Sequence, residues 1–267
     1  CACRPAGRPP RRHAAGRITR ILSPSPSRVD APCPLFDDGS GPTLGCGGCQ
    51  WLHIDYGVQT AAKARVVEDA LRRIGNVEAP VAPVAAAEEV TACRNKLSAS
   101  IGSKGVLGLC IEHSPEVLEL TGCPMEVAPN NAALESIQQY FAGHRERLLE
   151  NTGLSQVHLR SAPDGAVSLC LYAEKRTPDI DDLVSTLLDR RTITVAGMLA
   201  GRKFSHLGGG RSLRVHAGRI DYDVPIDTFF QTHYGQAERL LELVRTGLEA
   251  KPGDRLLDLY AGVGFFA

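Results

Sequence analysis

The chain has 267 residues, 43% of them hydrophobic, with 30 basic side chains set against 30 acidic ones. That supports one large or two small packed domains and excludes a protein that recognises polyanions through a uniform positive field. No apolar run approaches the ~20 residues that span a bilayer, no leader pattern opens the chain, and nine cysteines over this length do not frame a secreted disulfide scaffold, so a soluble, cytoplasmic protein using thiols for metal or catalysis is expected.

In chain order, residues 1–29 carry Arg4, Arg8, Arg11, Arg12, Arg17, Arg20 and Arg28 and no acid. Such an arm either follows a phosphate backbone or is a solvated tail. The stretch AGRITRILSPSPSRVDAPCP reads as the last strand of a small β module running into a proline-rich linker. A helix is predicted over 55–74, with Val58, Ala62, Val66, Val67, Ala70, Leu71 and Ile74 at helical spacing and Gly75 and Asn76 ending it. The alanine- and proline-rich EAPVAPVAAAEEV is a connection.

Between 91 and 225 the pattern predicts strands at KLSASIG, GVLGLCIE, QVHLRSA, AVSLCLYA, TITVAGML, SLRVHAG and RIDYDVP, with helices at NNAALESIQQYFAGHRERLLE and DDLVSTLLDRR. That is an α+β domain. After 225, Ala237, Leu240, Leu241, Val244 and Leu248 share one helical face, KPGD turns the chain, RLLDLY reads as a buried strand and AGVG as a glycine loop. This reads as the opening of a Rossmann-like α/β domain.

Three constellations carry chemistry. Cys46 and Cys49 form a C-x2-C knuckle, with Gly45, Gly47 and Gly48 removing side chains that would obstruct a backbone folding around a metal centre. Cys33 joins from the preceding loop, and Cys123, in the context TGCP, is the most loop-like fourth ligand; Cys93, Cys110 and Cys170 sit in strand-like runs and read as small core residues. Four such sulfurs suit zinc or an iron-sulfur cluster equally.

The second constellation is Asp258-x3-Gly262-x-Gly264, in which a strand ends in an acid and opens into G-x-G. That spacing suits S-adenosylmethionine better than a pyrophosphate, which calls for G-x-G-x-x-G, although a bland strand-to-helix turn accounts for it equally. The third is PIDTFFQTHYGQAE, where Gln231 follows an aromatic pair and either hydrogen-bonds a ligand or satisfies a loop carbonyl.

Taken in this order, the residues resemble the RNA uracil-5-methyltransferase family, in particular its iron-sulfur branch that modifies 23S ribosomal RNA. The likeness runs from about residue 14 through SPSPSRVDAPCP, CGGCQWLHIDYGVQTAAKARVVEDALRRIG, RNKLSASIG, SPEVLELTGCP, FFQ and DLYAGVG. It implies a [4Fe-4S] cluster on Cys33, Cys46, Cys49 and Cys123, and S-adenosylmethionine contacts from Gln231 and Tyr260 beside the Asp258, Gly262 and Gly264 turn. It also implies three parts: 1–32, the end of a TRAM-like, OB-type RNA-binding barrel; 33–225, the central α+β domain with the cluster, its helix 55–75 packing on the methyltransferase domain; and 226–267, the start of that domain.

The family's reaction adds a cysteine thiolate to C6 of a flipped-out uracil, methylates C5 and removes the C5 proton with a carboxylate. The nucleophile motif, the ribose acid and the terminal base are not matched here, so no catalytic residue is assigned, and the sequence reads as a truncated piece of the parent enzyme that does not turn over. Departures from the pattern are the longer DDGSGPTLG spacer, His233 for an Asn after F-x-Q, and Phe265 for a polar residue after G-x-G. The expected partner is RNA, 23S rRNA first and tRNA second, bound by a monomer. The rival reading is a non-catalytic, zinc-bearing RNA-binding module.

Overall fold

The computed structural model describes residues 2–5, 16–40 and 44–267. Arg8, Arg11 and Arg12 of the basic arm and Gly41, Pro42 and Thr43 of the cysteine spacer lie outside the described residues. The chain divides into two compact units, Cys1–Glu88 with Cys110–Leu118, and Glu89–Leu109 with Glu119–Ala267.

In the first unit, β1 (Ala2–Pro5) pairs antiparallel with β2 (Gly16–Arg20), and α1 (Tyr56–Arg73) follows the cysteine loop. Asp55 caps α1 by accepting from the Val58 amide at 3.2 Å, satisfying one of the free amides of the first turn. Gln59 donates to the carbonyls of Trp51 and Ile54 at 3.0 and 2.9 Å, tying the loop before the helix to its first turn. The Tyr56 hydroxyl accepts from the Ala87 amide at 2.8 Å, which anchors the alanine- and proline-rich connection. α1 ends as the sequence predicts: the Ile74 and Gly75 amides both reach the Ala70 carbonyl, and Asn76 takes a left-handed φ of 49°.

The second unit is a mixed α and β fold. Its elements are β3 (Lys96–Ile101), β4 (Leu107–Cys110, whose last residue belongs to the first unit), α2 (Ala128–Thr152), β6 (Gln156–Ser161), β7 (Val167–Tyr172), α3 (Pro178–Asp189), β8 (Val195–Ala200) and β9 (Lys203–Gly209), while β5 (Val117–Glu119) straddles the boundary with Val117 and Leu118 in the first unit. The hairpin β10 (Ser212–Ala217) and β11 (Ile220–Pro225) and the helix α4 (Tyr234–Leu248) follow. Seven strands form one sheet in the order β5-β4-β3-β6-β7-β8-β9. The β7–β8 pair is parallel, because α3 carries the chain back across the sheet between those strands, and the pairs β3–β4, β3–β6, β6–β7 and β8–β9 are antiparallel. Central β7, VSLCLY, is buried along nearly its whole length, as a strand with neighbours on both edges and helices on a face should be. Ala133, Leu134, Ile137 and Leu148 of α2 and Ile180, Leu183 and Leu187 of α3 are fully buried in the core they make with this sheet.

Three expectations change. RLLDLY is not a strand: residues 255–258 have no regular structure, and Leu256, Leu257 and Leu259 are 60%, 83% and 69% exposed. A strand exists only through its ladder, and no described strand pairs with this segment. Cys110, expected in the core, is exposed at the end of β4, whereas Cys170 is buried on β7 as expected. β9 was not foreseen. Its sequence KFSHLGG is half polar and ends in Gly208 and Gly209, and it is a strand because β8 offers an edge. A Cβ on Gly209, which has φ 72°, would stand 2.1 Å from the Thr194 carbonyl oxygen, so only glycine fits there.

Candidate cofactor loop and thiol cluster

In the second unit, residues 228–232 form a loop after β11 whose backbone is held from behind by two buried side chains. Arg160, on β6 and 4% exposed, donates one guanidinium nitrogen to the Phe230 carbonyl at 3.2 Å and another to the Thr228 carbonyl at 3.1 Å. Asn95, fully buried just before β3, donates its side-chain amide to the Gln231 carbonyl at 2.9 Å and its backbone amide to the Thr232 carbonyl at 2.8 Å. Each of these bonds goes to main chain, so the Gln231 amide group is not consumed in fixing its own loop.

Behind Asn95 the polar chain continues. The Ser161 amide donates to the Asn95 carbonyl at 2.9 Å, the Ser161 hydroxyl to the Asn130 side chain at 2.5 Å, and Asn130 to the Glu126 carboxylate at 2.7 Å. Tyr234, in the first turn of α4, donates its hydroxyl to the Ser161 carbonyl. Burial pushes the Glu126 carboxyl up to about 7, against the opposing pull of the Asn130 hydrogen bond and of Arg94 at 3.7 Å. Burial also lowers the pKa of Arg160, whose charge faces carbonyl dipoles with no carboxylate partner among the described residues.

The glycine loop lies against the same structure. Gly262 and Gly264 have φ of 61° and 74°, and the Gly264 amide closes a turn on the Ala261 carbonyl at 2.9 Å. Phe265, expected near the cofactor, is instead 6% exposed in a cluster with Tyr222, Phe230, Leu213, Val215 and Ala237. Its ring meets Phe230 edge-on at 5.2 Å and Tyr222 at 5.4 Å, and its carbonyl accepts from the Tyr222 hydroxyl at 3.3 Å. Phe230 precedes Gln231 and Phe265 follows Gly264, so this contact sets the amide loop and the glycine loop side by side. Tyr260, with φ 65°, is fully exposed, and one carboxylate oxygen of Asp258 is buried with no hydrogen-bond partner among the described residues.

In the first unit the cysteine loop is wound tightly by its glycines. A Cβ on Gly45 would lie 2.7 Å from the Leu35 carbonyl oxygen and from the Asp37 side chain, and one on Gly47 would lie 3.2 Å from the Cys110 carbonyl oxygen. The Cys46 amide donates to the Leu35 carbonyl at 2.8 Å, the Gly47 amide to the Cys110 carbonyl at 3.0 Å, and the Gly48 amide to the Cys46 sulfur at 3.4 Å. Burial raises the Cys46 thiol, the Gly48 hydrogen bond opposes this, and the nearby Cys33 and Cys110 thiols raise it further. Cys33, Cys46 and Cys110 therefore share one neighbourhood. Cys123 is held in the second unit by Asn131, which accepts from the Cys123 amide at 2.9 Å and donates to its carbonyl at 3.0 Å. Among the described residues no three His, Cys, Asp or Glu side chains are placed to hold a metal ion.

The sequence singled out Gln231, Tyr260, Asp258 and the two glycines; it did not single out Asn95, Arg160, Phe230 or Cys110. The available signal for Arg160 was a charge inside the alternating run QVHLRSA, where an apolar residue would otherwise stand.

No family model matches the chain. It is 29% identical over 274 residues to an uncharacterized RNA methyltransferase of Thermosynechococcus vestitus, covering 95% of this chain and 59% of that protein. The relatives it matches are named as uncharacterized RNA methyltransferases. A Nostoc protein so described is 28% identical over 277 residues, with 94% of this chain and 58% of that one covered, and a Streptomyces avermitilis protein is 28% identical over 270 residues, with 96% and 57% covered. The chain thus spans just under three fifths of the length of these relatives. The crystal structure of Pyrococcus abyssi tRNA (uracil-54, C5)-methyltransferase in complex with S-adenosyl-L-homocysteine shares the fold, with a TM-score of 0.68 and 20% identity over 97% of this chain and 60% of that one.

Proposed function

We propose that this chain forms the RNA-recognising and cofactor-framing part of an S-adenosylmethionine-dependent RNA uracil-5-methyltransferase. The observation that carries the reading is the Phe230–Phe265 contact, which sets the Gln231 loop beside the Gly262–Gly264 turn while Asn95 and Arg160 fix that loop from below. The cofactor, when bound, supplies the methyl group for uracil C5. Gln231 hydrogen-bonds its polar end, Tyr260 and the Asp258 carboxylate hold its ribose and methionyl part, and the glycines let the backbone approach it. Catalysis of C6 addition and C5 deprotonation is assigned to no residue of this chain.

The substrate proposed is 23S rRNA, from the resemblance of CGGCQ and its flanking cysteines to the iron-sulfur branch, with Cys33, Cys46, Cys49 and Cys123 as the proposed [4Fe-4S] ligands. The structural neighbour favours a second reading, tRNA, because that is the substrate in its name. The test is methyl transfer from tritiated S-adenosylmethionine by the natural full-length protein to 23S rRNA and tRNA transcripts, with nucleoside analysis. 5-Methyluridine in the ribosomal transcript is the expected product; methylation of tRNA alone shifts the substrate, and methylation at another base overturns the reaction. Iron and acid-labile sulfide in anaerobically purified protein check the cluster separately, with about four irons expected; one zinc without sulfide removes it.

A further inference from the structure

The first unit contains a cavity that the methyltransferase reading does not use. It has a volume of about 440 Å3, inside the ~300–1,000 Å3 range of small-ligand pockets, and lies between the proline-rich linker after β2 and the start of α1. The β2 and linker side brings Ser25, Ser27 and Arg28 together with apolar Ile18 and Ile21, and the Asp38 carboxylate joins the lining beside Arg28. The other is apolar: Ile54, Val58 and the imidazole of His53, which stacks on Phe36 with ring centroids 5.5 Å apart.

Both walls are fixed by main-chain bonds. The Arg28 amide donates to the Ser25 carbonyl at 3.0 Å, the Val29 amide to the His53 carbonyl at 3.0 Å, and the Asp55 amide to the Ser27 carbonyl at 2.8 Å. The cavity is therefore formed before any ligand arrives, which lowers the ordering cost of binding. Its polar groups also have capacity to spare. Arg28 pairs with Asp38 through one guanidinium nitrogen, and Asp38 is further engaged by the amide and hydroxyl of Ser40, leaving most of the five Arg28 donors free for a second acceptor. The Ser25 hydroxyl accepts from the Ser27 amide and can still donate. The Nδ1 of His53 is buried and has no hydrogen-bond partner among the described residues, while burial and Arg28 hold the ring's pKa below its ordinary value, so it stays neutral.

We infer that this cavity binds one nucleotide of a single-stranded RNA, with the base laid against Ile54, Val58 and His53 and the sugar-phosphate toward Arg28 and the serines. An apolar and aromatic face next to hydroxyl and guanidinium donors is the chemistry that unstacked RNA bases meet in proteins. Within the cavity Asp38 is already paired with Arg28, and the excess positive charge that favours a polyanion comes from exposed Arg20, at the end of β2 where the linker begins, and from an arm whose sequence carries arginines and no acid. The inference deepens the methyltransferase reading by placing an RNA contact away from the cofactor loop.

The test is fluorescence anisotropy of a fluorescein-labelled uridine decamer on the full chain at fixed salt. Val58→Trp and Ser25→Phe block the cavity from opposite walls without touching a charge, and Val66→Trp, at a 62% exposed site further along α1, is the control. Circular dichroism selects the blocking variants that remain folded. The expected result is a roughly tenfold weaker Kd for each folded blocking variant and no change for Val66→Trp. Wild-type affinity in a folded blocking variant, or equal weakening by the control, overturns the pocket while leaving the methyltransferase reading intact. Absence of decamer binding by the wild type overturns the pocket as well, and S-adenosylhomocysteine titration of the same sample then decides whether the cofactor reading survives.

Discussion

At the scale of single residues, the cofactor loop separates groups that face a ligand from groups that hold the loop. Gln231→Ala removes a side chain whose loop is fixed through its carbonyls, so folding stability is expected to stay within about 0.5 kcal/mol while calorimetric affinity for S-adenosylhomocysteine falls. Arg160→Met should do something different. It leaves the Phe230 and Thr228 carbonyls without their donor, a cost of about 1–3 kcal/mol in thermal melts. Arg160→Lys restores the charge but not the two-pronged geometry, so it should recover only part of that loss. Equal melting temperatures for Arg160→Met and the wild type would remove the buttress from the account. This distinction was only half legible in the sequence. Gln231 stood out beside an aromatic pair, but that Asn95 meets it from 136 positions earlier is a fact of sheet register that no local pattern carries.

At the scale of elements, helices and strands were legible wherever their own periodicity coincided with their burial. α2, α3, β6, β7, β10 and β11 fall where apolar spacing put them, with shifts of no more than three residues at the ends. RLLDLY and KFSHLGG failed in opposite directions for one reason: strand formation is decided by an available edge, which apolar character alone does not supply. The cysteine loop was legible through its glycines, and there the physics is steric. Gly45→Ala puts a methyl 2.7 Å from the Leu35 carbonyl oxygen and 2.8 Å from the Asp37 amide nitrogen, main-chain atoms that cannot swing aside. A loss of about 1–3 kcal/mol is expected in denaturant titrations of the first unit, with Cys46 becoming more accessible to a thiol reagent as the loop loosens. Unaltered stability together with unaltered thiol reactivity would mean the loop is not held as described.

At the scale of the whole molecule, two titratable groups in the second unit, buried Glu126 and half-buried His158, pull stability in opposite directions with pH. Glu126 rises from its ordinary 4.5 to about 7, so the native state binds its proton more tightly than the unfolded chain does. That contribution is complete below pH 4.5 and is lost as pH climbs through 7, an upper limit of about 3 kcal/mol for a carboxyl that is 3% exposed. His158 is lowered from 6.5 to about 4, by burial first and then by Lys96 and Arg160. Its contribution is therefore complete above pH 6.5 and is lost as pH falls through 4. Between pH 4.5 and 6.5 the two slopes oppose each other, so the wild-type melting temperature should change little there and then decline from pH 6.5 to 8. Glu126→Gln keeps an oxygen to accept from Asn130 but cannot ionise, so it should abolish the decline and expose the His158 slope, with stability rising steadily from pH 4 to 6.5. Melting curves of the two proteins across pH 4 to 8 check this, and a wild-type decline that survives in Glu126→Gln would locate the titrating group elsewhere. The consequence reaches the cofactor loop, because Glu126, Asn130, Ser161 and Asn95 are one hydrogen-bonded chain ending on the Gln231 carbonyl. Ionising Glu126 loads that chain at its far end. The pH at which the second unit begins to lose stability should therefore also be the pH at which S-adenosylhomocysteine affinity begins to fall, and Glu126→Gln should move both together.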